Sequence, residues 1–325
     1  MPTEPAPIWS LRFARAYLVT MRPYLLFVSG AAGLVGLSFG AGVETWRALV
    51  AFVALFFSYG LGQALTDCFQ TDTDSLSAPY RPLVAGVVAR RHVFTASLVG
   101  LCVVVLALVA LSARILVPGA LAVLGLLTYT FFKRRWWGGP PWNAWIVALI
   151  PVMGRLVDRG WSPAGLARPA GASDAAFLLA VLAVFFGYAN FVVMGYFKDV
   201  SADGATGYRT FPVAFGWRAA AVYGDVTAAA AVALAGAALV VLGAGLVSAA
   251  ALVAAAALYA VAQVAMHRTR DERATGTPIA HGVRALVLVC SSIVLANEPR
   301  WALALAVFYA FFELALGLRP ERGQV

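Results

Sequence analysis

Acidic residues, histidine and cysteine are scarce in this sequence. Its 325 residues include only 15 Asp and Glu, three His and three Cys, and charged residues make up 12% of the chain. An ordinary soluble domain carries about 25% charged residues, so the composition excludes that class. Cys68, Cys102 and Cys290 are scattered, form no CxxC pair and have no His nearby, which excludes a zinc site and a disulfide framework.

Long apolar runs take the place of charge, and 62% of the residues are hydrophobic. About 20 apolar residues cross the roughly 30 Å of hydrocarbon in a bilayer, where only a helix satisfies the backbone of such a run. The runs at 143–157 and 284–297 are short and lie at or near Pro151 and Pro299, so we expect half-helices or tilted pieces there. The sequence predicts an all-α polytopic membrane protein, with about nine to ten transmembrane helices in a bundle around a central cavity. The ten runs lie near 24–42, 49–65, 92–113, 115–132, 143–157, 175–195, 219–242, 246–266, 284–297 and 301–318.

The basic residues are distributed unevenly between the two ends of these runs. Eighteen of the 24 Lys and Arg fall on the side of the N-terminus, and the other six are Arg47, Arg114, Arg155, Arg159, Arg168 and Arg300. Because cytoplasmic loops are rich in Lys and Arg, this bias places the N-terminus in the cytoplasm. It also explains the net charge of +9 without a nucleic-acid partner. We expect a multi-pass protein of a bacterial inner membrane, with a cytoplasmic tail over residues 1–20 and a single transmembrane domain over residues 21–325.

Two polar loops hold a third of the acidic residues. Thr66–Pro82 reads TDCFQTDTDSLSAPYRP, and Lys198–Pro212 reads KDVSADGATGYRTFP; each follows a long apolar run. Mg²⁺ prefers carboxylate oxygens as ligands, while Arg and Lys bind phosphate oxygens. Two such loops on one face of a membrane therefore indicate a site for a Mg²⁺-bridged diphosphate. Their acids are Asp67, Asp72, Asp74, Asp199 and Asp203.

A faint internal repeat relates the two loops. Tyr80-Arg81 and Tyr208-Arg209 each follow an Asp cluster and each precede a glycine, Gly86 or Gly216. The loops come after the second and the sixth apolar run, so the repeating unit is four helices. Two four-helix-like halves that face each other would place both Asp loops at the mouth of one central cavity.

The second loop resembles a motif of a known family. Asp199-Val-Ser-Ala-Asp203, continued by Tyr208-Arg209-Thr210-Phe211-Pro212-Val213, is similar to the second Asp-rich motif of the UbiA-type intramembrane prenyltransferases, in which a lysine usually stands at the position of Lys198. The segment from Asp74 to Pro82 is similar to the end of the family's first motif, NDxxDxxxD followed by Arg-Pro. Arg22-Pro23 before the first run also fits, as do Tyr129 and Lys133-Arg134 after the fourth. The resemblance extends from about residue 20 to residue 318.

The first loop departs from the family pattern. Alignment on Arg81-Pro82 puts Thr66 at the family's Asn and Gln70 at its middle Asp, whereas Asp67 and Asp74 fall on acidic positions. If the preceding helix continues, Asp67, Gln70 and Asp74 share one face and Asp72 points elsewhere. Gln70 would then offer a neutral carbonyl oxygen to Mg²⁺. A weaker first metal site, an altered substrate and a different reaction on the same fold are all compatible with this departure.

The resemblance implies Mg²⁺-dependent transfer of an isoprenoid chain from an allylic prenyl diphosphate to a lipophilic acceptor of aromatic or quinone type, with no obligate protein partner. It implies metal binding by Asp67, Asp74, Asp199 and Asp203, and catalysis by these acids with Lys198. Aromatic faces stabilise an allyl cation without quenching it, and Asn190 is a polar residue in an apolar helix that we expect in the cavity. The expected substrate-binding residues are Arg22, Gln70, Arg81, Tyr129, Lys133, Arg134, Asn190, Tyr196 and Arg209.

Two other functions stay open. A terpene cyclase of the same family would ionise a prenyl diphosphate and close rings without a second substrate, and the departure at Gln70 keeps that alternative. A transporter would share the length and the repeat, but transporters concentrate ionisable groups near the bilayer centre, whereas these acids crowd two loops. Asp225 and Glu313 are the acids within apolar runs, and we expect each to pair with a base such as Arg284.

Overall fold

The structure is a computed structural model that describes residues 4–40, 42–161 and 171–319. All ten predicted apolar runs fall on helices. Arg168, one of the six basic residues predicted to lie on the side opposite the N-terminus, falls outside the described residues. The helices are α1 (Leu11–Thr20), α2 (Pro23–Ser38), α3 (Thr45–Asp67), α4 (Thr71–Ser77), α5 (Arg90–Leu111), α6 (Leu116–Lys133), α7 (Gly139–Leu156), α8 (Ala172–Tyr196), α9 (Val200–Ala205), α10 (Phe211–Leu242), α11 (Leu246–Arg268), α12 (Gly276–Asn297) and α13 (Ala302–Gly317).

Eight helices of the described residues are long and apolar enough to cross a membrane, namely α3, α5, α6, α8, α10, α11, α12 and α13. The pair α1–α2, bent by 57°, makes nine if it counts as one span. Arg22 allows the bend because its φ of 53° lies in the left-handed region, and Pro23 begins α2 where no amide proton is needed. The predicted all-α membrane bundle of about nine to ten helices is confirmed.

The expectation of short pieces is wrong for α12. This helix has 22 residues, because it begins at Gly276, before the apolar run that starts at Arg284. Its guanidinium donates to both carboxylate oxygens of Glu313 in α13, at 2.7 and 2.8 Å. The pairing expected for the two acids within apolar runs is therefore found, with Asp225 contacting His267 at 2.7 Å. Helix α7 is the shorter element, with 18 residues and Pro151 inside it.

The segment predicted as an N-terminal tail contains a packed helix. The amide of Ala6 donates to the carbonyl of Val87 at 2.9 Å, and Phe13 of α1 is buried. The hydroxyl groups of Tyr17 and Ser97 lie 2.8 Å apart, which ties α1 to α5. The N-terminal segment thus packs against the bundle through Ala6, Phe13 and Ala16.

Glycines let α2 and α7 cross at very short range. A Cβ added to Gly36 in α2 would lie 2.0 Å from the carbonyl oxygen of Pro151, and one added to Gly154 in α7 would lie 2.7 Å from the carbonyl oxygen of Gly33. Such small-residue crossings are how helices pack where no hydrophobic effect drives them together. Helices α2, α3 and α7 enclose one side of the site, and α8, packed along α10 and α7, encloses the other.

At the end of the bundle opposite the two Asp loops, arginines bind backbone carbonyls. Arg47 donates to the carbonyls of Leu111 and Val157, at 2.7 and 3.0 Å. Arg114 donates to the carbonyl of Trp161, and Arg155 to that of Phe39. Because the last carbonyls of a helix have no intrahelical partner, these exceptions to the charge bias have a structural role.

Candidate active site

The acid loops begin at a break in each long helix. Helix α3 ends at Asp67, and a turn leads to Gln70, the residue that precedes α4. Helix α8 ends at Tyr196, and Asp199 precedes α9 in the same way. The backbones of Gln70 (φ −122°, ψ 16°) and Asp199 (φ −119°, ψ 11°) are nearly identical. The repeat thus makes Gln70 the structural counterpart of Asp199.

The helix does not continue through the first loop, so the condition under which Asp67, Gln70 and Asp74 would share one helical face is not met. The chain turns after Asp67 because the last turn of α3 tightens, with the amide of Cys68 donating to the carbonyl of Leu65 at 3.2 Å and that of Gln70 to the carbonyl of Asp67 at 3.2 Å. Even so, Asp67, Gln70 and Asp74 reach the same cleft.

Both loops open onto one cleft that is continuous with solvent. We call this end of the bundle, where α3 and α8 finish, the acid end. The cleft brings together ten of the fourteen residues expected at the site. These ten are Arg22, Asp67, Gln70, Asp74, Arg81, Tyr129, Lys133, Tyr196, Lys198 and Asp199.

On the first side of the cleft, each acid pairs with an arginine. Arg22 donates to both carboxylate oxygens of Asp67, at 3.1 and 3.0 Å, and Gln63 donates to the same carboxylate at 2.6 Å. Arg81 contacts Asp74 at 2.5 Å. All four charged side chains are at most 11% exposed. Burial raises the pKa of Asp74, although Arg81 opposes that shift.

Lys133 links the two loops from the end of α6. Its ammonium donates to the side-chain carbonyl of Gln70 at 2.8 Å and lies 3.6 Å from Asp203. Asp203 is fully buried behind this lysine, accepts a hydrogen bond from Thr73 of α4 at 3.1 Å, and is not among the residues lining the cleft. The buried Lys133 thus lies between the two loops, close to Gln70 of the first loop and to Asp203 of the second.

On the second side of the cleft, Lys198 and Asp199 stand next to each other. Burial lowers the pKa of Lys198 to about 8, although Asp199 opposes that shift. Burial alone would raise the pKa of Asp199, but Lys198, Lys133 and Arg81 outweigh it and lower that pKa. Asp199 is therefore held as a carboxylate among three cations.

Tyrosines line the cleft where it enters the bundle. The hydroxyls of Tyr129 and Tyr196 lie 3.1 Å apart, and those of Tyr59 and Tyr188 lie 2.7 Å apart. Lys133 lies 5.6 Å from the ring centre of Tyr196. These rings provide several π faces beside the charged groups.

Besides Asp203, three expected residues lie outside the cleft. Arg134 is on the protein surface, where it contacts Asp72 at 2.8 Å and the ring of Tyr208, whose hydroxyl donates to Asp72 at 3.0 Å. The side chain of Arg209 is exposed, while its amide donates to the carbonyl of Arg134 at 3.1 Å. Asn190 lies between helices, with its amide donating to the carbonyl of Gly224 in α10 at 2.8 Å.

Sequence reasoning missed three polar residues of the cleft wall, Tyr59, Gln63 and Asn143. Gln63 and Asn143 lie within apolar runs, and a polar side chain at membrane depth is itself a signal of function. The same rule had selected Asn190, which packs against α10, so the rule alone does not separate cavity residues from packing residues.

The donor set of the cleft fits Mg²⁺. Mg²⁺ usually takes one or two carboxylates, with the remaining positions filled by water and substrate phosphate. Asp67, Asp74 and Asp199 supply carboxylates on both walls of the cleft, and Gln70 supplies a carbonyl oxygen. Among the described residues no group of three acids, histidines or cysteines forms a metal cage by itself. Asp203, the fourth acid expected to bind metal, is fully buried behind Lys133 and does not line the cleft.

Comparison with known proteins gives consistent matches. The UbiA prenyltransferase family profile matches residues 25–279. Digeranylgeranylglyceryl phosphate synthase of Thermococcus kodakarensis is 25% identical over 227 residues, covering 66% of this chain and 74% of the relative. The enzyme of the same name from Thermococcus gammatolerans is 29% identical over 213 residues, covering 64% and 71%.

Solved structures share the fold. A UbiA homologue from Aeropyrum pernix superposes with a TM-score of 0.69 at 20% identity, covering 83% of this chain and 96% of that one. A UbiA homologue from Archaeoglobus fulgidus, bound to GPP and Mg²⁺, gives a TM-score of 0.59 at 18% identity, with coverage of 93% and 100%.

Proposed function

Since the chain belongs to the UbiA prenyltransferase family, we propose that it moves an isoprenoid chain from an allylic prenyl diphosphate to a lipophilic acceptor, with Mg²⁺ as the cofactor. The acceptor is of aromatic or quinone type. The reaction takes place at the acid end of the bundle, which we propose faces the cytoplasm, where prenyl diphosphates are made.

The observation that carries this proposal is the pairing of opposed carboxylates and buried cations in one cleft. Asp67 and Asp74 lie on one wall and Asp199 on the other, with Lys133 between the loops. Burying several ions is costly unless each has a partner, and here the partners hold one another in place. A diphosphate with its metal would complement this pattern of charge, because the acids would bind the metal and the cations the phosphate oxygens.

Asp67, Asp74 and Asp199, with the carbonyl of Gln70, would hold Mg²⁺ in this cleft. The UbiA homologue from Archaeoglobus fulgidus that is bound to GPP and Mg²⁺ shares the fold, which supports the choice of ion. When bound, Mg²⁺ supplies positive charge that stabilises the diphosphate as a leaving group.

The cations of the chain bind the rest of the diphosphate. Arg22, Arg81, Lys133 and Lys198 line the cleft, and the first three pair with carboxylates within 3.6 Å. With the carboxylates engaged by Mg²⁺, these cations would be available to bind phosphate oxygens. Preorganised donors of this kind stabilise the charge that develops when the bond between carbon and oxygen breaks.

The tyrosines protect the allyl cation that remains. Tyr129, Tyr188 and Tyr196 are buried, and their hydroxyls are engaged with other tyrosines at 2.7 to 3.1 Å. Their π faces attract a cation, and an engaged hydroxyl is a poorer nucleophile toward it. The buried rings shield the cation on the side of the bundle, which favours its reaction with the acceptor.

The test is product formation by the purified protein in lipid, with labelled C10, C15 and C20 diphosphates, Mg²⁺, and acceptors added singly. Aromatic, quinone and glyceryl phosphate lipids form the acceptor panel, the last because the relatives are named digeranylgeranylglyceryl phosphate synthases. We expect a prenylated product only when an acceptor is present. Formation of a cyclic hydrocarbon without an acceptor would show that the reaction is cyclisation and not transfer.

A further inference from the structure

Asp67 is held by two hydrogen-bond donors of different charge. Arg22 donates to both of its carboxylate oxygens, and the side-chain amide of Gln63 donates to Oδ1 at 2.6 Å. Because a carboxylate only accepts hydrogen bonds, the atom of Gln63 that faces it is the nitrogen. Gln63 lies one turn before Asp67 in α3, the spacing at which a glutamine and an aspartate meet on a helix.

The position of Asp67 at the end of its helix makes such support necessary. Asp67 is the last residue of α3 and only 3% exposed. The C-terminus of a helix carries partial negative charge, which repels a carboxylate, and a buried charge needs partners. The neighbouring Thr66 does not share this role, since its hydroxyl donates to the backbone carbonyl of Gln63 at 3.0 Å.

The other half of the repeat shows what the helix carries where no acid follows. Counting back from the two counterparts that precede α4 and α9, Asp67 corresponds to Tyr196 and Gln63 to Val192. Both Tyr196 and Val192 line the cleft. An amide thus stands at this position only in the half where a carboxylate follows it one turn later, and the wall of the cleft does not by itself require one.

We infer that Gln63 is a positioning residue, which holds Asp67 in the orientation that binds Mg²⁺. This inference rests on the proposed function, because it takes Mg²⁺ and the diphosphate to occupy the cleft. Arg22 is then drawn to phosphate oxygens, and Gln63 remains as the donor to Asp67. The amide is neutral, so it restrains the carboxylate without cancelling the negative charge that attracts the metal.

Gln63→Met is the substitution that tests this inference. Methionine is unbranched like glutamine and favours a helix, but it has no N–H donor. Gln63→Leu is the second variant in case the first does not fold.

Gln263→Met is the matched control. Gln263 is a buried glutamine of α11 whose side chain lies against Gly224 of α10, and it does not line the cleft. Among the described residues its amide has no hydrogen-bond partner. The control therefore makes the same chemical change in the same bundle without removing a contact to Asp67.

The first measurement is Mn²⁺ binding by the protein in lipid with inorganic diphosphate present, followed through the electron paramagnetic resonance signal of the free ion. We expect Gln63→Met to weaken Mn²⁺ binding about tenfold or more, because loss of a group that orients a metal ligand costs about 10- to 100-fold in affinity. We expect Gln263→Met to bind Mn²⁺ as the wild type does.

The second measurement is diphosphate release from labelled C10, C15 and C20 diphosphates at varied Mg²⁺. In Gln63→Met the Mg²⁺ concentration at half-maximal rate should rise by the same factor as the Mn²⁺ dissociation constant, and saturating Mg²⁺ should restore kcat. A residue that only stabilised the fold would not produce a loss that Mg²⁺ reverses.

Unchanged Mn²⁺ binding in Gln63→Met, or an equal loss in Gln263→Met, would overturn the inference while leaving prenyl transfer intact. Lost activity that saturating Mg²⁺ does not restore, or failure of both Gln63 variants to fold, would overturn it as well. Failure of the wild type to release diphosphate from any of the three donors would instead refute the proposed function and the inference with it.

Discussion

Gln70→Asp is the substitution that most directly tests how the first loop contributes to metal binding. Gln70 has the backbone conformation of Asp199, and its carbonyl accepts a hydrogen bond from Lys133 at 2.8 Å. The change places a carboxylate where the repeat has one in the other half. We expect the variant to fold, because the residue lies at the wall of a cleft that opens to solvent.

The magnitude follows from charge. A carboxylate about 4 Å from Mg²⁺ gains roughly 8 kcal/mol at an effective dielectric constant of 20. Repulsion from Asp67 and Asp74 and the loss of hydration cancel most of this gain. We expect a net of about 1.4 kcal/mol, which is a tenfold lower Mg²⁺ concentration at half-maximal rate.

Gln70→Glu is the matched control for Gln70→Asp. Glutamate keeps the length of glutamine, so its carboxylate stays within reach of Lys133 and is neutralised by it. The shorter aspartate loses that contact. We therefore expect a smaller change in Mg²⁺ dependence for Gln70→Glu than for Gln70→Asp.

The assay is release of diphosphate from a labelled donor at varied Mg²⁺. Intact activity with an unchanged Mg²⁺ dependence in Gln70→Asp would refute the assignment of Gln70 to the metal. Lost activity with donor binding retained would point to a specialised reaction at Gln70 and favour cyclisation.

Three further predictions concern topology and packing. In a chain with Cys102→Ser, single cysteines introduced at Ser75 or Thr206 should react with a membrane-impermeant thiol reagent from the cytoplasmic side only. A cysteine introduced at Ala172 should react from the other side only. Labelling of positions 75 and 206 from opposite sides would contradict the single cleft. Arg284→Met should lower the free energy of unfolding in detergent by about 1–2 kcal/mol by leaving Glu313 without its partner, and Arg284→Met combined with Glu313→Met should restore it. Asn190→Ala should lower the free energy of unfolding by about 0.6 kcal/mol, because the hydrogen bond to the carbonyl of Gly224 is lost, and should leave KM for the donor unchanged. A raised KM would show that Asn190 contributes to substrate binding.

The helices were predictable because a membrane leaves the backbone no alternative. Every apolar run fell on a helix, and the two Asp loops met at one cleft as the repeat required. Ends of helices were less predictable where a charged residue finds a partner within the bundle. The apolar run starts at Arg284, but α12 already begins at Gly276, because Glu313 of α13, distant in sequence, neutralises Arg284 within the bundle.

The pairings within the site could not be read from the sequence. They depend on the break after Asp67, which replaces a continuous helix by a turn and the separate helix α4. That break sends Asp72 to the surface with Arg134, and the packing of α9 buries Asp203 behind Lys133. Tertiary contacts between the two halves decide these positions, and such contacts cannot be inferred from composition and spacing.

The central claim is that ionisation of the donor depends on the acids inside the cleft and not on acids of the same loops outside it. The most direct measurement is diphosphate release by Asp199→Asn and by Asp72→Asn, two changes of the same type on either side of that boundary. Asp199→Asn removes a carboxylate that would hold the metal, and should lower kcat/KM about a hundredfold or more. Asp72→Asn, on the 42%-exposed side chain paired with Arg134, should stay within about threefold of the wild type. Equal loss in both variants, or full activity in Asp199→Asn, would contradict the account.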